Sequence, residues 1–272
     1  MRISDGKRRI IEVDDKSRRI RKKRHCCETS MTMIRPPPVT FPLQRLYMSC
    51  LDVFKGVDSV PSTSDDQKLR HILDGLMPED LGLPRSLQFL EPDSTVVVYT
   101  TVYESQNFSL YVFFLPENGV IPLHNHPGMT VYSKLLLGKV HIKAYDLVNP
   151  DIAYNNPSSF HPKLACLKTD TVFTAPCDTS VLYPTSGGNI HAFTAITPCA
   201  ILDVVGPPYS KRDGRDCSYY KDIPYAVSPD EQMTMPEEDG KCYRWLEEIE
   251  MPKESKMDRI EYLGPQIIEV SP

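Results

Sequence analysis

The sequence predicts a mainly β protein, a barrel or sandwich of short strands entered through short N-terminal helices. Three observations carry that expectation. Beyond Leu83 the chain turns into short β-rich runs separated by Gly, Pro and Asn. Ahead of Leu83, two stretches show the spacing of one apolar helix face. No apolar run approaches the roughly 20 residues that a membrane-spanning helix needs, so the hydrophobic residues are expected to build one large core.

Residues 1–39 are expected to form a disordered basic arm and residues 40–272 the folded domain. The first 35 residues hold 12 Lys and Arg against 5 Asp and Glu, a net of +7 that leaves −12 for the remainder of a chain whose total is −5. The absence of aromatics and the closing Pro36-Pro37-Pro38 fit a solvated arm ending in a stiff polyproline spacer. A basic arm on an acidic body argues against direct nucleic-acid binding, for which the folded face would itself be basic. The tract Arg18-Arg19-Ile20-Arg21-Lys22-Lys23-Arg24 resembles a nuclear-import signal. Met1 to Lys7 show no apolar secretory segment, so nucleus and cytoplasm are the expected locations. Eight cysteines with no Cys-x-x-Cys pair fit reduced thiols there.

Within the domain, Leu43, Leu46, Tyr47, Cys50, Leu51 and Phe54 recur at helical spacing, with Thr40 as a cap and Gly56 as the stop. Ser64 before Asp65-Asp66 marks a second helix start, and Leu69, Ile72, Leu73 and Leu76 form its apolar face before Pro78. Strand runs follow at Thr95–Tyr103, Phe108–Leu115, Thr130–Leu137, Val140–Asp146, Leu164–Thr169, Val181–Tyr183, Ile190–Ala195 and Ala200–Val205. The tail offers a short helix over Lys241–Glu250 and an edge strand within Arg259–Val270. No internal repeat is visible, nor any feature that requires an oligomer, so a monomer is expected.

The chemistry concentrates in Gly119-Val120-Ile121-Pro122-Leu123-His124-Asn125-His126-Pro127-Gly128. Residues two apart on a strand point to one face, so His124 and His126 are expected to reach a single metal ion. Gly187-Gly188-Asn189-Ile190-His191 offers a third imidazole from another strand, giving a facial three-ligand site with open positions. His141 alternates with Val140 and Ile142, which places it on the solvent face; His25, His71 and His161 show no partner.

Gly119, His124, His126 and Gly138 fit the first motif of the cupin superfamily, which the sequence resembles. That likeness implies a double-stranded β-helix, or jelly-roll, barrel. The superfamily's glutamate ligand falls near Thr130 or Val131 and is absent. In the second motif Gly188 and His191 keep their spacing, Pro184 is displaced, and Ala195 stands in place of the usual Asn. Three neutral imidazoles leave a ferrous ion its full charge, which favours a bound thiolate. The stretch Pro122 to Val131 through Gly138-Lys139-Val140, with Leu202-Asp203-Val204-Val205-Gly206-Pro207-Pro208-Tyr209, closely resembles the plant cysteine oxidases and the related cysteamine dioxygenase. What the resemblance implies is Fe(II) and O₂ converting an N-terminal cysteine, on proteins such as plant ethylene-response transcription factors, to the sulfinic acid. The product marks those proteins for an N-degron pathway, making the enzyme an oxygen sensor in the hypoxia response.

Further site residues follow from the same likeness. Asp203 lies in the apolar strand Ala200–Val205, where a carboxylate is costly unless paired, and the family makes it a candidate for holding the substrate amine or relaying a proton. Tyr209 is expected at the same mouth. Cys217 and Tyr219 lie where the cysteamine dioxygenase branch would place a cysteine-tyrosine thioether, although a free buried thiol is the simpler reading of Cys217. Two other functions stay open: a dioxygenase of small thiols such as cysteamine or free cysteine, and a non-enzymatic metal-binding cupin module.

Overall fold

The computed structural model describes residues 41–56, 60–84, 87, 90, 94–148, 162–224 and 242–270. The 1–39 arm with its basic tract, Cys26-Cys27 and His25 lies outside the described residues, as does His161.

Two helices lead the domain. Helix α1 (Pro42–Val53) begins on a proline, whose missing N–H is no loss in a first turn. Its N-cap is Phe41, which offers no side-chain bond, so the expected Thr40 cap is replaced. The helix closes when Phe54 N–H bonds Cys50 O, two residues before Gly56. Helix α2 (Thr63–Asp74) is capped by Ser62, whose hydroxyl accepts from Asp65 N–H at 3.3 Å. Ser64 therefore sits inside the first turn, while Asp65 and Asp66 meet the positive helix end as expected. No described helix is long and apolar enough to cross a membrane.

The described strands are β1 (Val97–Glu104), β2 (Ser109–Leu115), β3 (Val120–His124), β4 (Thr130–Leu137), β5 (Lys139–Leu147), β6 (Lys163–Thr174), β7 (Ser180–Leu182), β8 (Ile190–Ala195), β9 (Cys199–Gly206), β10 (Tyr219–Pro224), β11 (Tyr243–Ile249) and β12 (Met257–Ile260). One sheet runs β12-β1-β2-β9-β4-β7. The other, β10-β11-β6-β5-β8-β3, closes on itself where Tyr219 pairs with His124. These two sheets are the expected double-stranded β-helix of a cupin.

Strand β9 shows how the layers form, because all eight of its residues are buried. Ala200, Leu202 and Val204 pack toward the helices with Leu43, Leu46, Tyr47, Leu69 and Leu73. Ile201 points the other way, into a core shared with Ile121, Val140 and Phe193 of the closed sheet. Each fully buried Leu or Ile in these layers contributes about 1.5–3 kcal/mol. Asp203 and Val205 share the face of Ile201 by the two-residue period, which brings a carboxylate into the space between the sheets.

Two tail expectations are corrected. The stretch expected as a helix over 241–250 is strand β11, whose Tyr243 and Trp245 suit a pleated surface and whose edges are taken by β6 and β10. The expected edge strand survives only as β12, paired parallel to β1 through Met257–Ile260. Beyond it, residues 261–270 form no strand. Strand β10 was not among the expected runs, and β3 was expected only as the strand bearing His124 and His126. All six described cysteines are free of disulfides.

Candidate metal centre and active-site cavity

His124 is the last residue of β3, so His126 lies past the strand in the turn through Pro127 and Gly128, the glycine at φ +67°. The expected presentation of both imidazoles from one strand face is thus corrected: a turn, not the pleat, folds His126 back beside His124. His191 stands on β8 directly opposite His124 in the ladder. Its approach is the turn Gly187-Gly188, at φ +79° and +84°, and a Cβ on Gly188 would come within 2.7 Å of the Ala144 Cβ. The Asp146 carboxylate holds this turn by accepting from the N–H groups of Gly187, Gly188 and Asn189 at 3.1, 2.7 and 3.2 Å.

The three imidazoles converge, their ring centroids 4.8 to 5.0 Å apart and their ligand nitrogens within 4.8 Å of one another. His126 and His191 are buried, while His124 is partly open to the adjoining cavity. Burial lowers the pKa of all three, and the neighbouring imidazoles push His126 and His191 further down. Both effects favour the neutral ring, which has a lone pair to offer. His124 Nδ1–H donates to Pro122 O at 2.8 Å, which turns its Nε2 inward. Three neutral nitrogen donors and no carboxylate suit a divalent transition metal and could hold one.

Beside the trio is a cavity of about 470 Å³ walled by Tyr99, Tyr111, Phe113, Ile121, Phe193, Val205 and Met257. All of the remaining sequence candidates line it: Asp203, Tyr209, Cys217 and Tyr219. Asp203 is 6% exposed; its Oδ1 has no hydrogen-bond partner, and the Ser133 side chain bonds the carboxyl. Burial pushes its pKa up to about 7. Tyr209, a residue 39% exposed, runs from the surface to a hydroxyl that donates to Asn125 O at 2.8 Å. The same hydroxyl lies 2.9 Å from Nδ1 and 3.5 Å from Nε2 of His126, touching the edge of that ring. Cys217 is half-buried and bonds both Tyr209 and Tyr219; burial raises its thiol pKa while those two bonds oppose the rise.

His141 stands away from this site, its Nε2 2.7 Å from Asp170 Oδ1, and His71 is exposed on α2. Sequence reasoning missed Met257 and Ser255, which line the cavity from the far end of the chain without any local signal. It also passed over Asn125. That residue's Oδ1 accepts from Ser218 N–H at 2.8 Å and its backbone N–H donates to Ser218 O at 3.1 Å, stitching the histidine turn to the segment carrying Cys217 and Tyr219. A polar residue between two ligand candidates was the available signal.

The PCO_ADO family model matches residues 72–267, a stretch that contains all seven candidate residues. The chain belongs to the PCO_ADO family. Plant cysteine oxidase 2 of Arabidopsis thaliana is 46% identical to this PCO_ADO protein over 235 residues, covering 84% of each chain. Plant cysteine oxidase 1 of the same organism is 43% identical over 238 residues, 83% of this chain and 80% of the relative. Human 2-aminoethanethiol dioxygenase is 36% identical over 172 residues, 57% of this chain and 64% of the relative.

Proposed function

We propose that the protein is an Fe(II)-dependent dioxygenase that converts the N-terminal cysteine of target proteins to cysteine sulfinic acid. The observation that carries this reading is one cavity that presents three imidazoles and a buried carboxyl with one oxygen left without a partner. In the overall reaction, RSH + O₂ → RSO₂H, sulfur loses four electrons, the O–O bond breaks and both oxygen atoms end on sulfur. Fe(II), held by His124, His126 and His191, supplies a charge that favours thiolate over thiol and the redox chemistry that lets O₂ react with it.

The chain's own groups do the rest. Asp203 receives the α-ammonium of the substrate: a cation arriving beside a buried carboxyl lowers its pKa, so the group binds as carboxylate. The apolar and aromatic walls exclude water from the reacting sulfur. Tyr209 and Cys217 stand at the mouth with Tyr219, where the peptide must enter. Substitution of Tyr209 by Phe, which removes the hydroxyl touching Asn125 and His126, is expected to cut turnover by on the order of tenfold, one hydrogen bond's worth, and, because that hydroxyl bonds the His126 ring, to weaken metal binding as well; steady-state kinetics and metal titration check this.

Identity to two plant cysteine oxidases supports targets of the ethylene-response transcription factor kind, with the sulfinic product feeding an N-degron pathway and the enzyme, as a monomer, reporting oxygen. Mass spectrometry of a Cys-initiating peptide incubated with the anaerobically Fe(II)-loaded protein and isotopically labelled O₂ tests the chemistry. Two labelled oxygens on the peptide support it. Faster turnover of 2-aminoethanethiol or free cysteine than of the peptide would favour a small-thiol enzyme, and no oxygen uptake with any thiol would leave a non-enzymatic module. The basic arm directs nuclear entry in this proposal and takes no part in chemistry. A chain starting at Pro38 is therefore expected to turn over peptide at close to the full-length rate, and a fluorescent fusion lacking Arg18–Arg24 to lose nuclear enrichment under the microscope.

A further inference from the structure

His124 and His191 face one another in a backbone ladder, but His126 has left the strand and no ladder places it. Besides the turn bond from Met129 N–H to His126 O at 3.2 Å, its backbone is held by one side chain. Asn189, 3% exposed, accepts from His126 N–H through Oδ1 at 3.1 Å and donates to His126 O through Nδ2 at 2.9 Å. The second hydrogen of Nδ2 goes to Tyr183 O at 2.8 Å. One donor and two carbonyl acceptors around the amide allow only this orientation of its oxygen and nitrogen. The backbone of Asn189 is fixed in turn by Asp146, which accepts its N–H within the Gly187-Gly188 turn. His191 follows two residues later.

We infer that Asn189 is the positioning residue of the metal site, a side-chain substitute for the missing ladder that sets His126 against His191. An amide is required chemically: a peptide-like group offers an acceptor and a donor side by side, as a neighbouring strand would. Asp keeps the size and the acceptor but turns the donor into an oxygen facing two carbonyls. Alanine removes both bonds and leaves the buried His126 N–H without a partner.

Competitive titration with Co(II) against a chromophoric chelator, at a temperature where circular dichroism shows each protein folded, reads the effect without any turnover. Asn189→Ala and Asn189→Asp are expected to bind Co(II) about 10–100-fold more weakly than wild type, with a changed Co(II) absorption spectrum because one imidazole has moved. A residue that served only the fold would lower the melting temperature and leave the affinity of the folded protein alone. Folded variants that match wild-type affinity and spectrum therefore overturn the inference, and Asn189→Asp decides it should the alanine variant not fold. Wild-type protein supplies a further readout: the His126 amide should resist hydrogen exchange as strongly as the amides of β8, and fast exchange there is equally fatal. The inference rests on the three-histidine reading. Wild-type protein that takes up no Co(II) overturns that reading itself, whereas wild-type uptake matched by the variants overturns this one alone.

Discussion

His191→Ala is expected to give a folded protein that retains little metal and oxidises no peptide. His191 is the ligand candidate from β8, and its loss leaves two imidazoles, one of them on a turn. Because removing an outer partner of a ligand already costs about 10–100-fold in affinity, removing the ligand itself should cost more. Metal analysis of protein purified under Fe(II), with circular dichroism for the fold, measures this. Wild-type metal content in the variant would sink the three-histidine assignment.

The second large effect is expected at Asp203, where Asn conserves size and removes charge. Loss of one charge-assisted hydrogen bond to an α-ammonium, about 1.5–3 kcal/mol, predicts a fall in peptide oxidation of roughly tenfold or more, with near-normal metal content. Acetylating the peptide amine should likewise abolish turnover by the wild type. The same substitution should stabilise the metal-free protein, and the sign follows from the pKa of about 7. A folded value above the ordinary 3.8 means that the folded state keeps a proton the unfolded chain has lost. Stability from this group is therefore complete below about pH 3.8 and declines as pH rises through about 7, by at most about 4 kcal/mol. Thermal melts should show metal-free Asp203→Asn above wild type at pH 8 and level with it near pH 4. A variant that oxidises peptide normally, or melts below wild type at pH 8, would make the carboxylate a structural element.

The parts of this molecule legible in the sequence are those with local causes. Helix spacing at Leu43–Phe54, the glycines around His191 and the alternation of Ile201, Asp203 and Val205 are written into neighbouring residues. The cap at Ser62 competed with an equally plausible hydroxyl at Ser64, and only the geometry of the first turn separates them. What was not legible depended on distant partners. β11 is a strand because β6 and β10 flank it, and Met257 reaches the cavity because β12 lies along β1. The site followed the same division: His124, His126 and His191 showed in their motifs, whereas the bonds from Asn125 and Asn189 that place them appear only once the turns are folded.

The closure of the second sheet has a kinetic meaning. His124 pairs on one side with His191 and on the other with Tyr219, so the seam of the ring and the centre of its chemistry are the same place. Joining Val97 to Met257 and His124 to Tyr219 requires long loops to close before any contact rewards them. Local elements such as the β1–β2 hairpin can assemble as soon as their residues meet, while the ring waits for the whole chain. The metal-binding geometry is therefore expected among the last features that folding produces, so that metal capture would report completion of the barrel, not its beginning.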